Sequence, residues 1–202
     1  MKILCEGIIF SGKTTLCKIL EKELGITAHY EVSTPETTKM LEMFYTDQKR
    51  WAFALQIHFL CTRHKNEIDT NPCLMDRSLA GDRVFSTMLH SSGVLNDEEY
   101  RVYTSLHDDV LAKVSEPTLV LYLDCKPETA FSRIKKRGLD YESGISLDYI
   151  KRLNEEYLKW FASYKGNLFH IDTDSIDFNT DTERTLALVE RIKATLENNT
   201  QR

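Results

Sequence analysis

Proline and glycine are scarce, four and eight in 202 residues, and no stretch rich in either is available to serve as a linker. Residues 1–202 therefore read as one domain. Uninterrupted apolar runs of the roughly eighteen residues that a membrane helix needs are also missing, so no membrane partner is expected. The place where a secretory leader would carry its apolar core is taken by a glycine-bearing polar motif, and a cytoplasmic protein is expected. The five cysteines, Cys5, Cys17, Cys61, Cys73 and Cys125, form no C-x-x-C pair and no His/Cys cluster at zinc spacing, which leaves buried free thiols as the simplest reading. A basic excess is lacking too. With 26 Lys and Arg against 31 Asp and Glu and a net charge of −5, a nucleic-acid polymer is a poor candidate partner, because neutralising its backbone takes a basic surface. A small molecule fits better.

What the chain does have is Gly7-Ile8-Ile9-Phe10-Ser11-Gly12-Lys13-Thr14, a G-x-x-x-x-G-K-T motif followed by Thr15. In such a P-loop the glycines let successive backbone N–H groups turn onto phosphates, the lysine reaches the β and γ oxygens, and the threonine hydroxyl faces Mg²⁺. The apolar run Lys2–Cys5 precedes it, and Leu16, Ile19, Leu20 and Leu24 follow at helical spacing. Strand, loop and helix stand in the order that the motif requires.

Further strand-like runs fall at Ala28–Glu31, Pro72–Met75, Thr118–Asp124 and Asn167–Ile171. Long helical patterns occupy Gln48–Glu67, Asp97–Val114 and Ser146–Tyr164. This alternation predicts an α/β fold with a mostly parallel, five-stranded sheet covered by helices. Ligands of such sheets bind beyond the carboxyl ends of the strands, so the residues just after each run carry the interest.

Several of those positions bear chemistry. Glu31 ends the second run, where it is either a general base for a hydroxyl or an ordinary exposed glutamate. Asp76-Arg77-Ser78 follows the third; Asp76 can hold Mg²⁺ or cap the next helix, and Arg77 can offset charge on a transferred phosphoryl group. Gln56 and Arg63, seven residues apart, share a helix face with Ala52 and Phe59. They either meet a nucleobase edge, with Phe59 as a stacking surface, or Gln56 bonds a loop and Arg63 faces water. His58 and His64 read as structural. Arg133, Lys136 and Arg137 form a basic stripe before Gly138, which complements a helix end or supplies a lid, at about 133–144, over triphosphate oxygens.

Taken together, these residues resemble the deoxynucleoside kinase family, closest to its bacterial deoxyadenosine and deoxyguanosine kinase branch. The likeness covers nearly the whole chain. It is most specific at Phe44-Tyr45 with Trp51 to Gln56, at Asp76-Arg77-Ser78 with Asp82-Arg83, and at Arg133 to Gly138 with Glu142. It implies a three-layer P-loop NTPase fold and transfer of the γ-phosphate of ATP, with Mg²⁺, to the 5′-hydroxyl of a deoxynucleoside. Glu31 is then the general base, with Arg77 and Lys13 beside the transferred group and Thr14 and Asp76 toward Mg²⁺. Tyr45 and Glu142 match the pair on the 3′-hydroxyl, and Gln56, Arg63 and Asp82 match residues at the base edge. Gly7 to Thr15, Arg133 and Arg137 would hold the donor phosphates, and Asp172 and Asp174 fall in a stretch that resembles the loop on the donor's adenine. A purine acceptor is favoured, deoxyadenosine first, with small Ala80 and Gly81 leaving room for the larger base. A homodimer through the long helices is expected. Ile8, Val32 and Leu139 depart from the family pattern. Two other readings stand beside this one: a thymidylate kinase-like enzyme, from the E-G-x-x-x-S-G-K-T-T string at Glu6–Thr15, and a nucleotide-binding switch without turnover.

Overall fold

A computed structural model describes residues 1–32, 34–69, 71–138, 142 and 144–200. Its centre is β1 (Lys2–Glu6), every residue of which is buried. Strands apolar on both faces need cover on both faces. β1 pairs in parallel with β3 (Cys73–Asp76) and with β4 (Leu119–Asp124), while β2 (Ala28–His29) and β5 (Leu168–Asp172) form the edges, in the order β2-β3-β1-β4-β5.

Eight helices cover this sheet among the described residues. α1 (Lys13–Leu24), α3 (Gln48–Asp69), α5 (Asp97–Leu111) and α7 (Leu147–Ser163) lie where apolar spacing puts them; α2 (Pro35–Thr46), α4 (Leu79–Ser91), α6 (Pro127–Arg137) and α8 (Thr182–Thr200) complete the set. Several starts are chemically marked. Thr34, Ser78, Asn96 and Ser146 accept backbone N–H bonds as N-caps, and Pro35 and Pro127 sit in first turns, where a missing N–H costs nothing. α5 ends at Leu111, short of the expected Val114, as Lys113 N and Val114 N bond carbonyls only three residues back.

The period-two alternation of the strands divides the core. Ile3, Cys5, Leu74, Leu119 and Leu121 pack with Leu16, Cys17 and Leu20 of α1 and with Leu188, Val189 and Ile192 of α8. Leu4, Met75, Val120 and Tyr122 face the other way, onto a larger cluster built from α2, α3, α4, α6 and α7. The result is a three-layer arrangement, with the parallel sheet covered by helices on both faces as the alternating pattern predicts. α5 is added outside through Tyr103, which packs with Leu60 of α3 and Leu79 of α4. No helix among the described residues is long and apolar enough to cross a membrane.

The end of the second strand needs correction. The second strand stops at His29 and not at Glu31: β2 is an edge strand with only Ala28 and His29 in register with β3, and Glu21 of α1 ties it down through Ala28 N at 2.9 Å and Tyr30 Oη at 2.7 Å. On α4, Leu79, Val84, Met88 and Leu89 are buried within the fold.

Glu6, the last residue of β1, is wholly buried and binds Ser78 through its N–H at 2.8 Å and its hydroxyl at 2.6 Å. Burial pushes the Glu6 carboxyl up, against the pull of those Ser78 bonds and of Arg77. Gly81 passes directly over this carboxylate, and a Cβ there would sit 2.4 Å from Glu6 Oε2. Ala80 and Gly81 therefore do not make room for a ligand; Gly81 makes room for Glu6. Because Ser78 holds the carboxylate in place, Gly81→Ala is expected to lower folding stability by about 1–3 kcal/mol. Equilibrium chemical denaturation checks this, and an unchanged midpoint refutes it.

Candidate active site

The P-loop joins β1 to α1. At Gly7, φ is +146°, and a Cβ would lie 2.5 Å from Leu123 O, so both conformation and space demand glycine. Phe10 also takes a positive φ, 62°, a strained setting of the kind found at ligand clamps. Ile8 turns its side chain into the core at 2% exposure and gives its carbonyl to Lys13 Nζ at 2.7 Å. What the loop asks of Ile8 is its backbone, and its side chain is taken up by packing. Burial, with the Arg77 charge adding to it, lowers the Lys13 pKa to about 8. Thr14 Oγ1 donates to Asp76 Oδ2 at 2.6 Å, while Asp76 Oδ1 is buried without a partner. Asp76 caps nothing, since Ser78 does that for α4.

Above the loop opens a cavity of about 800 Å³. Ile9, Phe10, Gly12, Lys13, Thr14 and Thr15 line it, while Gly7, Ile8 and Ser11 lie beneath them as the loop's support. Into the same space come Glu31, Tyr45, Gln56, Phe59, Arg63, Asp76, Arg77, Asp82 and Glu142. All the residues expected at an acceptor thus converge, although they come from six separate stretches of chain.

Glu31 is held at both oxygens. Arg63 Nη2 donates to Oε1 at 2.7 Å and Arg77 Nε to Oε2 at 2.8 Å. Burial pushes the Glu31 carboxyl up, but Arg77, Arg63 and Lys13 outweigh it and keep it below the ordinary carboxylate value. Arg77, 2% exposed and at φ 72°, also donates through Nη1 to Gly7 O at 3.0 Å and Tyr157 Oη at 2.5 Å, and its guanidinium lies over the Phe85 ring. Arg63 pairs with Asp82 and lies over Phe59; Asp82 is fixed from behind by Tyr103 Oη at 3.0 Å. The reading in which Arg63 faces water is overturned, because it is 4% exposed. Gln56 Oε1 and Arg63 Nε, both buried on one face of α3, have no partner within the chain. Glu142 Oε2 is likewise unpartnered, and burial raises that carboxyl against the Arg137 charge.

At the other end, Arg133 donates to Phe10 O at 3.2 Å and Thr173 O at 2.7 Å, bracing the P-loop against the loop after β5. Arg137 is more exposed, over the Phe10 ring and 3.8 Å from Glu142. Arg133, Lys136 and Arg137 all line the cavity. Asp172 and Asp174 do not. Asp172 accepts from Asp174 N, and Asp174 accepts from Lys126 N at the start of α6, so both carboxylates serve the backbone. Their place is taken by Ile176, Asp177, Phe178 and Asn179, with the Phe178 ring about 3 Å from where a Cβ on Gly12 would stand. Leu139 and most of the remaining lid stretch, residues 140, 141 and 143, lie outside the described residues.

A model of the deoxynucleoside kinase family matches residues 3–197. The chain belongs to the deoxynucleoside kinase family. It is similar to a deoxyguanosine kinase of Lactobacillus acidophilus, 33% identical over 92% of this chain and 87% of that one. A deoxyadenosine kinase of Dictyostelium discoideum is 34% identical over 77% of this chain and 64% of its own length. Among solved structures, the deoxyadenosine kinase of M. mycoides with dCMP and dCDP bound superimposes with a TM-score of 0.82 at 28% identity, over 95% of this chain and all of that one. This kinase is accordingly an ATP-dependent phosphotransferase, and the thymidylate kinase-like reading of Glu6–Thr15 gives way to it.

In this deoxynucleoside kinase, sequence reasoning left Glu6, Tyr157, Tyr103 and Phe178 without a role at the site. A charged residue closing an apolar central strand was the signal at Glu6, and Tyr157 stands at i+4 from Leu153 on the apolar face of α7. Phe178 had no periodicity to give it away. Its ring over Gly12 adds stacking surface to the P-loop end, so Phe178→Ala is expected to raise the KM for ATP about five- to tenfold, from roughly 1 kcal/mol of lost ring contact, with the nucleoside KM unchanged. Steady-state kinetics with each substrate varied in turn checks this; a rise confined to the nucleoside KM refutes it.

Proposed function

We propose that this kinase transfers the γ-phosphate of ATP to the 5′-hydroxyl of a purine deoxynucleoside, deoxyadenosine first, with Glu31 as general base. The observation that carries the reading is the convergence in one cavity of a P-loop and a carboxylate held ionised between Arg63 and Arg77. Glu31 takes the hydroxyl proton as the 5′-oxygen bonds to the γ-phosphorus, and the bond from that phosphorus to ADP breaks. Lys13 and Arg77 offset charge on the moving group. Tyr45 and Glu142 orient the sugar, whose 3′-hydroxyl would satisfy the unpartnered Glu142 Oε2. Gln56 and Arg63 offer an acceptor and a donor to the base edge, and relatives named for deoxyadenosine and deoxyguanosine support a purine there.

The residues present fit Mg²⁺. Asp76 Oδ1 is a buried oxygen without a partner, and Thr14 Oγ1 stands beside the same carboxylate. No cluster of three or more His, Cys, Asp or Glu side chains forms a metal site among the described residues, so Thr14 and Asp76 would share the ion with the substrate's phosphates. When bound, it would neutralise phosphate charge during transfer. We place the enzyme in the cytoplasm and read it as a homodimer, the dimer being supported by exposed Val102 and Leu106, one turn apart on α5.

A panel of deoxyadenosine, deoxyguanosine, deoxycytidine and thymidine with Mg²⁺·ATP tests the acceptor. Deoxyadenosine should give the highest kcat/KM, and turnover of thymidine alone would overturn the reading. Glu31→Gln should lower kcat by about a hundredfold or more while the variant stays folded. The sign of the pH dependence follows from the two guanidinium groups. Because they hold the Glu31 carboxyl below its ordinary 4.5, its ionised form persists through that pH, and kcat/KM should stay flat from about pH 7 to about pH 5. An acid limb near pH 6 would show that the free enzyme's base is not this carboxylate.

A further inference from the structure

Arg63 touches both halves of the acceptor site. One end of its guanidinium holds Glu31 Oε1 at 2.7 Å and the other pairs with Asp82, while its Nε–H is buried without a partner on the same α3 face as the unpartnered Gln56 Oε1. A carboxylate clamped between two guanidinium groups is a poor proton acceptor, because each charge favours the ionised form. For Glu31 to take a proton, one clamp has to loosen. Arg77 is badly placed to do so, being anchored to Gly7 O and Tyr157 Oη and packed on Phe85. Arg63 can. Asp82, fixed by Tyr103 Oη, still pairs with Nη1 when Glu31 is released, and a base edge that accepts from Nε–H lies along the same guanidinium edge as Nη2, where it competes with Glu31 Oε1. The ligand then favours the released position by its differential contacts.

We propose that Arg63 is a latch: with the base subsite empty it holds Glu31, and a nucleobase edge bound against Gln56 and the Nε–H/Nη2 edge of Arg63 displaces Glu31 from Nη2 and frees Oε1 for the 5′-hydroxyl, while Asp82 keeps Nη1. Arg63 is thus a positioning residue, acting through Glu31, and the proposal rests on Glu31 being the base. Recognition of the base is expressed in kcat, since an acceptor that fails to displace Glu31 from Nη2 meets a base that is still occupied.

The test separates the nucleoside into its parts. The acceptor is 1,2-dideoxyribose, which keeps the 5- and 3-hydroxyls and has no base, with free adenine and then free cytosine added. For the unaltered enzyme at saturating sugar, at least one of the two bases should raise kcat about tenfold or more. Arg63→Met combined with Asp82→Asn, which removes the latch without leaving a buried charge unpaired, should turn over the base-free sugar with a higher kcat than the unaltered enzyme and should not respond to added base. If neither base raises kcat in the unaltered enzyme, or if the double variant lowers kcat for the base-free sugar, the latch is refuted. Free-base activation needs no variant, so it decides the matter even if the double variant fails to fold. Glu31→Gln keeps near-normal turnover of deoxyadenosine only if Glu31 is not the base, and that failure is distinct from the latch's own.

Discussion

The Arg77 guanidinium is the contact on which the site's geometry depends. It stands just past β3 in a left-handed conformation, buried, with hydrogen bonds to Gly7 O of the P-loop, Tyr157 of α7 and Glu31 beyond β2. A non-glycine residue held at positive φ stores strain of order 1–3 kcal/mol, which persists only where the surroundings over-determine it. Here they do. Burial works against the Arg77 charge, yet Glu31, with Tyr157 and Glu6 behind it, more than restores it, so the cation that ties the strand ends together stays charged.

Glu6 extends the same network downward. Its carboxylate joins the end of β1 to Ser78, which in turn caps α4, and Tyr157 Oη reaches it at 3.2 Å while accepting from Arg77. The two central strands are therefore locked end to end by side chains as well as by their ladder. That lock sets where α4 begins, and hence where Asp82, in its first turn, stands relative to the P-loop.

Features that depend on local pattern were legible in the sequence: the P-loop with its following helix, the five strand runs and the three long helices α3, α5 and α7 follow from spacing and glycine placement. The residues facing the acceptor cavity were legible because strand ends and one α3 face collect them. Direction was not. Asp172 and Asp174 look like ligand groups, but aspartates in loops bond nearby N–H groups, and only the folded turn shows that Phe178 faces the cavity instead. Gly81 looked like spare volume, and its neighbour turned out to be a buried carboxylate from seventy-odd residues away. The early end of β2 depends on how few residues its single partner can pair, which β2's own sequence does not record.

The strand order carries a consequence for how such a molecule can change. Glu31, Gln56, Arg63 and Asp82 come from the β2–β3 half of the sheet and its helices, whereas Arg133 and Phe178 come from the β4–β5 half, with β1 and the P-loop between them. Apart from Glu142, which reaches the same cavity from between α6 and α7, the two ends of the cavity are therefore built by separate halves of the sheet. Under the proposed roles, substitutions on α3 and α4 would re-tune the nucleoside end without passing through the Arg133 contacts to Phe10 and Thr173, and drift in the β5–α8 connection would act on the P-loop end.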